Sequence, residues 1–306
     1  MQAAMIQRFG PHAEVAIEQA ALPVPGAQEV VVRIEAAAVN PLDVKIVAGH
    51  MGQVFPAELP YTPGCDFSGV VTAAGPLAGS VKVGDRVAGR SDPVRGGAFA
   101  QAIVAHPDAL VVIPSAMSYE QAAALPSAFG SAHHALFDVA ALRAGQRVLI
   151  HAGAGGVGSF AIQLASQAGA RVSATASAAN LGLLRELGAD DAIDYRADDF
   201  TRLPAFDVIL DTVGGATLER SWQVLRQGGI LASLVDFTIA PRDGRRGTSV
   251  FFTEATAALK QAVALFGAGK LEIVIDSLYA FDETGAALAK VASGHARGKV
   301  VIRIMR

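Results

Sequence analysis

A glycine-dense turn between a strand and a helix constrains this chain more than any other segment. It reads His151-Ala152-Gly153-Ala154-Gly155-Gly156-Val157-Gly158. The apolar run Arg147-Val148-Leu149-Ile150 before it predicts a buried strand. The run Ser159-Phe160-Ala161-Ile162-Gln163-Leu164-Ala165 after it predicts a helix. A strand, a glycine turn and a helix in that order form a cradle for a pyrophosphate. Gly153 permits the tight turn, Gly155 lets the backbone approach the phosphates, and Gly158 lets helix and strand pack closely. The unpaired N–H groups at the helix start then face the anion. Glycine spacing alone also fits a turn with no ligand; the flanking elements favour the cradle.

The rest of the chain divides around this motif. Up to about Pro114, short β-like runs such as Val30-Val31-Val32-Arg33-Ile34 and Gly69-Val70-Val71-Thr72 alternate with Gly and Pro turn signals, which predicts a β-barrel-like unit. From Ser118, a predicted helix N-cap, strands and helices alternate. Candidate strands are 147–152, 171–176, 191–194, 206–211 and 229–235, with amphipathic runs between them. Such alternation builds a doubly wound parallel sheet covered on both faces. The polar segment 236–248 predicts a mobile loop, and Ser249-Val250-Phe251-Phe252 predicts the last strand of that sheet. The expected domains are 118–254 for the α/β unit, and 1–117 with 255–306 for the other.

Composition excludes several classes. A formal net charge of −3 gives no basic surface for nucleic acid or an anionic membrane. The single cysteine, Cys65, rules out an internal disulfide, which fits a reducing compartment. No signal-like leader or bilayer-length apolar run is read, so a cytoplasmic protein is expected.

The end of the second α/β strand bears on which dinucleotide fits. An acid there would bond the ribose hydroxyls and repel a 2′-phosphate. The segment Thr175-Ala176-Ser177-Ala178-Ala179-Asn180 carries hydroxyl and amide groups instead, which favours NADP(H). Ser177 reads equally as a helix cap, and the two roles are compatible. No Lys or Arg lies in the turn, so positive charge must come from elsewhere.

An ordered series of short motifs then points to a family. It comprises Asn40-Pro41-Leu42-Asp43, Pro63-Gly64-Cys65-Asp66-Phe67-Ser68-Gly69, Gly84-Asp85-Arg86-Val87 and Gly96-Gly97-Ala98-Phe99-Ala100. It continues with Ala123-Ala124-Leu125-Pro126, the glycine turn, Leu187-Gly188-Ala189-Asp190, Ile193-Asp194-Tyr195-Arg196, Asp211-Thr212-Val213-Gly214-Gly215 and Gly294-His295-Ala296-Arg297-Gly298-Lys299. The chain resembles the zinc-independent quinone oxidoreductases of the medium-chain dehydrogenase/reductase superfamily over nearly its whole length. The resemblance implies a GroES-like β-barrel domain and a Rossmann-type α/β domain with the cofactor in the cleft between them. It implies NADPH-dependent reduction of quinones or activated carbon–carbon double bonds, and a homodimer through the edge strand at Ser249-Val250-Phe251-Phe252. It also places Asn40 near the nicotinamide ribose, Ser131 near the carboxamide, Tyr195 beside the adenosine and Lys299 on the closing C-terminal segment. Together with Gly153, Ala154, Gly155, Gly156, Val157, Gly158 and Ser177, these are the candidate cofactor-binding residues.

Some positions depart from that pattern. Ser131 stands where threonine is usual and His133 where an aromatic is usual. Lys45 and Met51 replace tyrosines of the bacterial quinone reductases, which favours an α,β-unsaturated carbonyl substrate. Reducing an enone puts negative charge on its oxygen, so a donor must stabilise it. Asn40 and Lys45 are the candidate catalytic residues; a turn-forming Asn and a surface Lys are the bland alternatives. His133 or His134 as a general acid competes with a packed or surface histidine, and solvent is the expected proton source. For Arg245 and Arg246, reach to a phosphate or a partner subunit competes with the default of a solvated charge run. No metal is expected, because Gly64-Cys65-Asp66 lacks the histidine and partner cysteines a zinc site needs. Rival readings are an NADPH-binding redox sensor or structural protein, a zinc-free alcohol dehydrogenase and an enoyl-thioester reductase.

Overall fold

The computed structural model describes residues 1–305. The chain forms two units, one of Met1–Ser127 with the segment from Glu254 onward, the other of Ala128–Thr253.

The first unit begins with β1 (Gln2–Met5) and β2 (Ala16–Gln19), an antiparallel pair. Then come β3 (Val30–Val39), α1 (Pro41–Val47), β4 (Asp66–Ala74), β5 (Arg86–Arg90), β6 (Ala102–Ala105), β7 (Leu110–Val112) and α2 (Tyr119–Ala123). Helix α3 (Pro126–His133) carries the chain out of this unit. β3 and β4 cross so closely that a Cβ on Gly69 would lie 1.9 Å from the Arg33 carbonyl oxygen, so only glycine fits. The sheet closes over a core that includes Ile34, Phe67, Val87 and Phe99. Burying each of these aromatic rings stabilises the fold by roughly 2–3 kcal/mol.

The second unit is built from β8 (Arg147–Ile150), α4 (Gly156–Gln167), β9 (Arg171–Ala176), α5 (Leu181–Glu186), β10 (Asp191–Asp194), β11 (Phe206–Asp211), α6 (Gly215–Ser221), β12 (Leu225–Ser233) and β13 (Arg246–Ser249). The strands form one parallel sheet in the order β10-β9-β8-β11-β12-β13. Val148, Leu149, Ile150, Ile209 and Leu210 are fully buried within it, as their unbroken apolar runs require. The strand order reverses between β8 and β11, and such a switch point opens a crevice at the carboxyl ends of the strands.

The chain then returns to the first unit as α7 (Thr256–Gly267), β14 (Ile275–Ala280), α8 (Thr284–Ala292) and β15 (Lys299–Arg303). β15 pairs antiparallel with β3 and parallel with β14. The first unit's main sheet thus runs β14-β15-β3-β4-β5-β7, with β6 also on β3.

Two boundaries differ from the sequence expectation. The first unit continues to Ser127 rather than ending at 117. The reason is that α2 is tied to its sheet: Ser68 Oγ donates to the Tyr119 carbonyl (2.6 Å), and Arg303 pairs with Glu120 (2.7 Å). The last strand of the parallel sheet is Arg246–Ser249, not 249–252. Val250 still donates to the Ser233 carbonyl (2.8 Å), but the chain then leaves the ladder. The Phe252 ring packs onto Gly130, where a Cβ would sit 2.1 Å from its Cζ. The segment expected to be a mobile loop therefore contains the strand start, preceded by a tight Arg242–Arg245 turn that Arg245 ties to the Leu225 carbonyl (2.6 Å).

Candidate functional site

In the second unit the glycine turn leaves β8 at the switch point. Its left-handed residue is Ala152 (φ 50°), not Gly153. Gly153 is required for space: its Cβ would press within 3.0 Å of Ala174 Cβ and Ile162 Cδ1. Gly158 is the strictest position, since a Cβ there would lie 2.3 Å from the Ala152 carbonyl oxygen and 2.7 Å from Gly153 Cα. Gly155, in extended backbone, caps α4. Gly153 and Gly155 donate to the carbonyls of Thr175 (2.8 Å) and Ala152 (2.9 Å). The N–H groups of Gly156, Val157 and Gly158 open the helix and have no intrahelical acceptor. A twelve-residue helix with free donors beyond a strained turn is the geometry an anionic diphosphate requires.

His151, at the base of this turn, is buried and stands edge-on to Phe200 (4.9 Å). Burial pulls its pKa down to about 4; Asp211 opposes the shift and Arg220 adds to it.

The neighbouring strand ends assemble a second feature. Tyr195 N–H donates to the Ala176 carbonyl (3.1 Å), which sets the residues after β10 beside Ser177. Asn180 Nδ2 donates to Ser177 Oγ (3.2 Å). Arg196 Nε donates to Tyr195 Oη (3.1 Å), and its guanidinium lies 5.4 Å from that ring. Arg196 forms no ion pair among the described residues. Its main-chain N–H donates to Asp194 Oδ1 (3.0 Å), the acid that ends β10.

Ser131 is half-buried on α3. His133 packs between Phe129 and Phe137, with centroids at 6.3 and 5.0 Å. His134 pairs with Asp138 (2.9 Å) and faces Phe252. Both imidazoles thus have packing or pairing roles within α3 and the π-helical turn that extends it.

The first unit buries a charged cluster where β3, α1, β4 and β15 meet. Lys299 Nζ donates to Asn40 Oδ1 and to the Val39 carbonyl (3.3 Å). Asn40 Nδ2 donates to Asp66 Oδ2 (3.0 Å), and Asn40 N–H to Asp43 Oδ2 (2.7 Å). Asp66 also accepts from Ser127 N–H (3.1 Å) and Ser127 Oγ (2.7 Å), whose oxygen accepts from Arg90 Nε (3.0 Å). Burial lowers the Lys299 pKa, opposed by the Asp66 and Asp43 carboxylates. Asp43 is raised to about 7, first by burial and then by Asp66, against the Asn40 N–H and Lys299. Its Oδ1 has no hydrogen-bond partner. Sequence reading placed Asn40 and Lys299 in the site. It named Asp66 only within the 63–69 motif and passed over Ser127 and Arg90. Lys45 lies half-buried on α1 with no polar side-chain partner among the described residues.

The donors of this cluster do not suit zinc. Burial beside Asp43 pushes the Cys65 thiol up, which disfavours the thiolate that metal binding needs. Both Asp66 oxygens are committed to protein donors. No group of three His, Cys, Asp or Glu side chains among the described residues is arranged to hold a metal ion.

Two stretches of the chain match known families. Residues 26–115 match the alcohol dehydrogenase GroES-like domain, and residues 187–302 match the family described as zinc-binding dehydrogenase. The 2-methylene-furan-3-one reductase of Solanum lycopersicum is 35% identical, covering 90% of this chain and 71% of the relative. The chloroplastic NADPH-dependent alkenal/one oxidoreductase of Arabidopsis thaliana is 32% identical, covering 90% and 72%. The solved structure of the quinone oxidoreductase from Coxiella burnetii superposes with a TM-score of 0.90 at 31% identity, covering 100% of this chain and 99% of that one. The ordered motifs, the switch-point sheet and these likenesses agree: the chain is an oxidoreductase of the quinone oxidoreductase-like family in the medium-chain dehydrogenase/reductase superfamily.

Proposed function

We propose that this protein is a zinc-independent reductase that uses NADPH to reduce the activated double bond of an α,β-unsaturated carbonyl, with quinones as the second substrate class. One observation carries the cofactor reading: the helix N–H groups of the glycine turn open at the switch point of a sheet in which β9 ends without an acid; Arg196, just past Asp194 at the end of β10, is the nearby cation. The pyrophosphate would rest on the turn from Gly153 to Gly158, including Ala154. Ser177, Tyr195 and Arg196 would take the adenosine 2′-phosphate, and Ser131 the carboxamide end. Bound NADPH would supply the hydride.

The chain's own residues then have electrostatic work. Asn40, fixed at both ends of its amide by Lys299 and Asp66, orients the ribose hydroxyls through its remaining N–H. Lys45, with no internal partner, offers an ammonium to the developing oxyanion. Solvent delivers the proton, because His133 is held in packing and His134 is paired with Asp138. Lys45 and Met51 in place of tyrosines, together with the enone- and alkenal-reducing relatives, support the unsaturated carbonyl over the quinone.

The test is an NADPH-oxidation panel of small enones, enals, quinones and an enoyl-thioester. Enones or enals should turn over fastest. Turnover of none, with NADPH bound, would replace this reading by a nucleotide-binding sensor. We also propose a homodimer through the outer edge of β13, since an edge strand invites pairing; light scattering on an eluting peak should give twice the chain mass.

A further inference from the structure

His151 sits at the hinge between strand and glycine turn, and its surroundings fix where its proton lies. Ring Nε2 is 2.9 Å from Ser221 Oγ, and Nδ1 is 3.2 Å from Thr175 Oγ1. Ser221 Oγ is also 2.7 Å from the Thr217 carbonyl, which can only accept. The single Ser221 hydroxyl proton is therefore used there, and Ser221 must accept from the ring. So Nε2 carries the imidazole proton, and Nδ1 accepts from the Thr175 hydroxyl. Thr175 Oγ1 in turn accepts the Ala152 N–H at 3.3 Å. The chain runs in one direction: Ala152 N–H, Thr175 hydroxyl, His151 imidazole, Ser221 hydroxyl, Thr217 carbonyl. Each buried polar group in it is satisfied while the ring stays neutral. It starts from Ala152, the one residue of the turn held in the left-handed region (φ 50°). A non-glycine residue there costs of order 1–2 kcal/mol unless its surroundings hold it. The main chain is pinned on the other side too, because Thr212 Oγ1 donates to the His151 carbonyl (2.9 Å) and His151 N–H to Leu210 (3.0 Å).

We propose that His151 is a positioning residue for the glycine turn: its Nε2–H tautomer, selected by Ser221, directs the Thr175 hydroxyl to hold the left-handed Ala152 and so aims the free helix N–H groups at the cofactor phosphates. This rests on the pyrophosphate reading above. The acceptor toward Thr175 carries the effect, not the ring as such.

Three substitutions separate these roles. His151→Phe keeps a ring against Phe200 but loses both bonds. His151→Gln reaches Ser221 but lacks the acceptor near Nδ1. His151→Asn presents an oxygen near Nδ1 and gives up Ser221. By calorimetric titration, NADPH affinity should fall about tenfold in His151→Phe and His151→Gln, with most of it rescued in His151→Asn. Thr175→Val should match His151→Phe, and the pair should be less than additive. Amide exchange at Ala152 should accelerate in His151→Phe, His151→Gln and Thr175→Val, and stay slow in His151→Asn. The proposal is overturned if His151→Phe binds like the parent with Ala152 still protected, or if affinity falls only in proportion to melting temperature across all three. A parent that takes up no NADPH defeats the pyrophosphate reading itself. The Ala152 exchange pattern distinguishes that from a wrong assignment of His151.

Discussion

Each unit buries a polar network among its candidate site residues, and the two are made of different chemistry. The second unit uses neutral groups in a line, Thr175, His151 and Ser221, each with its partner. The first uses charges: Lys299 and Arg90 against Asp66 and Asp43, with Asn40 and Ser127 between them and one Asp43 oxygen left unpartnered. A neutral directional chain specifies one geometry and resists protonation. A buried charge cluster can shift a proton among its members, and its stability depends on all of them. The comparison suggests a division of labour, with a rigid turn for phosphates and a titratable cluster around Asn40.

The largest expected effect comes from breaking the charged side. Lys299→Met leaves Asn40 Oδ1 without its donor and removes the buried cation that offsets Asp43 and Asp66. Urea unfolding at neutral pH should show a loss of roughly 3–5 kcal/mol; a loss under about 1 kcal/mol would mean the cluster is solvated.

Asp43 comes next. Its folded pKa is raised from 3.8 to about 7, so the fold holds this proton more tightly than the unfolded chain does. The resulting stability is full below pH 3.8 and is lost as pH rises toward 7, about 4 kcal/mol in all. Asp43→Asn removes that slope, so its stability relative to the parent should climb between pH 4 and 7.

His151 should give the opposite sign. Its folded pKa is lowered from 6.5 to about 4, so the fold disfavours the proton. Nothing is lost above pH 6.5. About 3 kcal/mol disappears as pH falls from 6.5 to 4. His151→Asn should flatten this slope. Two variants tilting the same curve in opposite directions would sharpen the contrast between the units, and equal tilts would break it.

The smallest expected change is at the surface. Arg196→Gln should weaken NADPH about tenfold and leave NADH unaltered, as loss of one charge-assisted phosphate contact would.

How much of this was legible in sequence depends on how local the physics is. The glycine turn was readable because a strand, three spaced glycines and a helix lie within about twenty residues, and Gly158 plays the packing role assigned to it. The glycine spacing does not mark which residue of the turn is left-handed; it is Ala152, whose N–H is held by Thr175 Oγ1 from the neighbouring strand. Asn40 and Lys299 were both named, yet their bond spans 259 residues and follows only from β15 pairing with β3. Asp66, Ser127 and Arg90 left no periodic or spacing signal. Thr175 is one of two hydroxyl residues in β9, with Ser173, so its position alone did not single it out. The edge strand was read three residues late because Phe251 and Phe252 look β-like, whereas Phe252 is drawn to the bare Cα of Gly130.

The central claim is that the turn from Gly153 to Gly158 grips a dinucleotide carrying a 2′-phosphate. Parallel calorimetric titrations of the intact protein with NADPH and NADH test it most directly. The account predicts one cofactor per chain, with NADPH bound at least about tenfold more tightly. Tighter NADH, or no uptake of either, would contradict it.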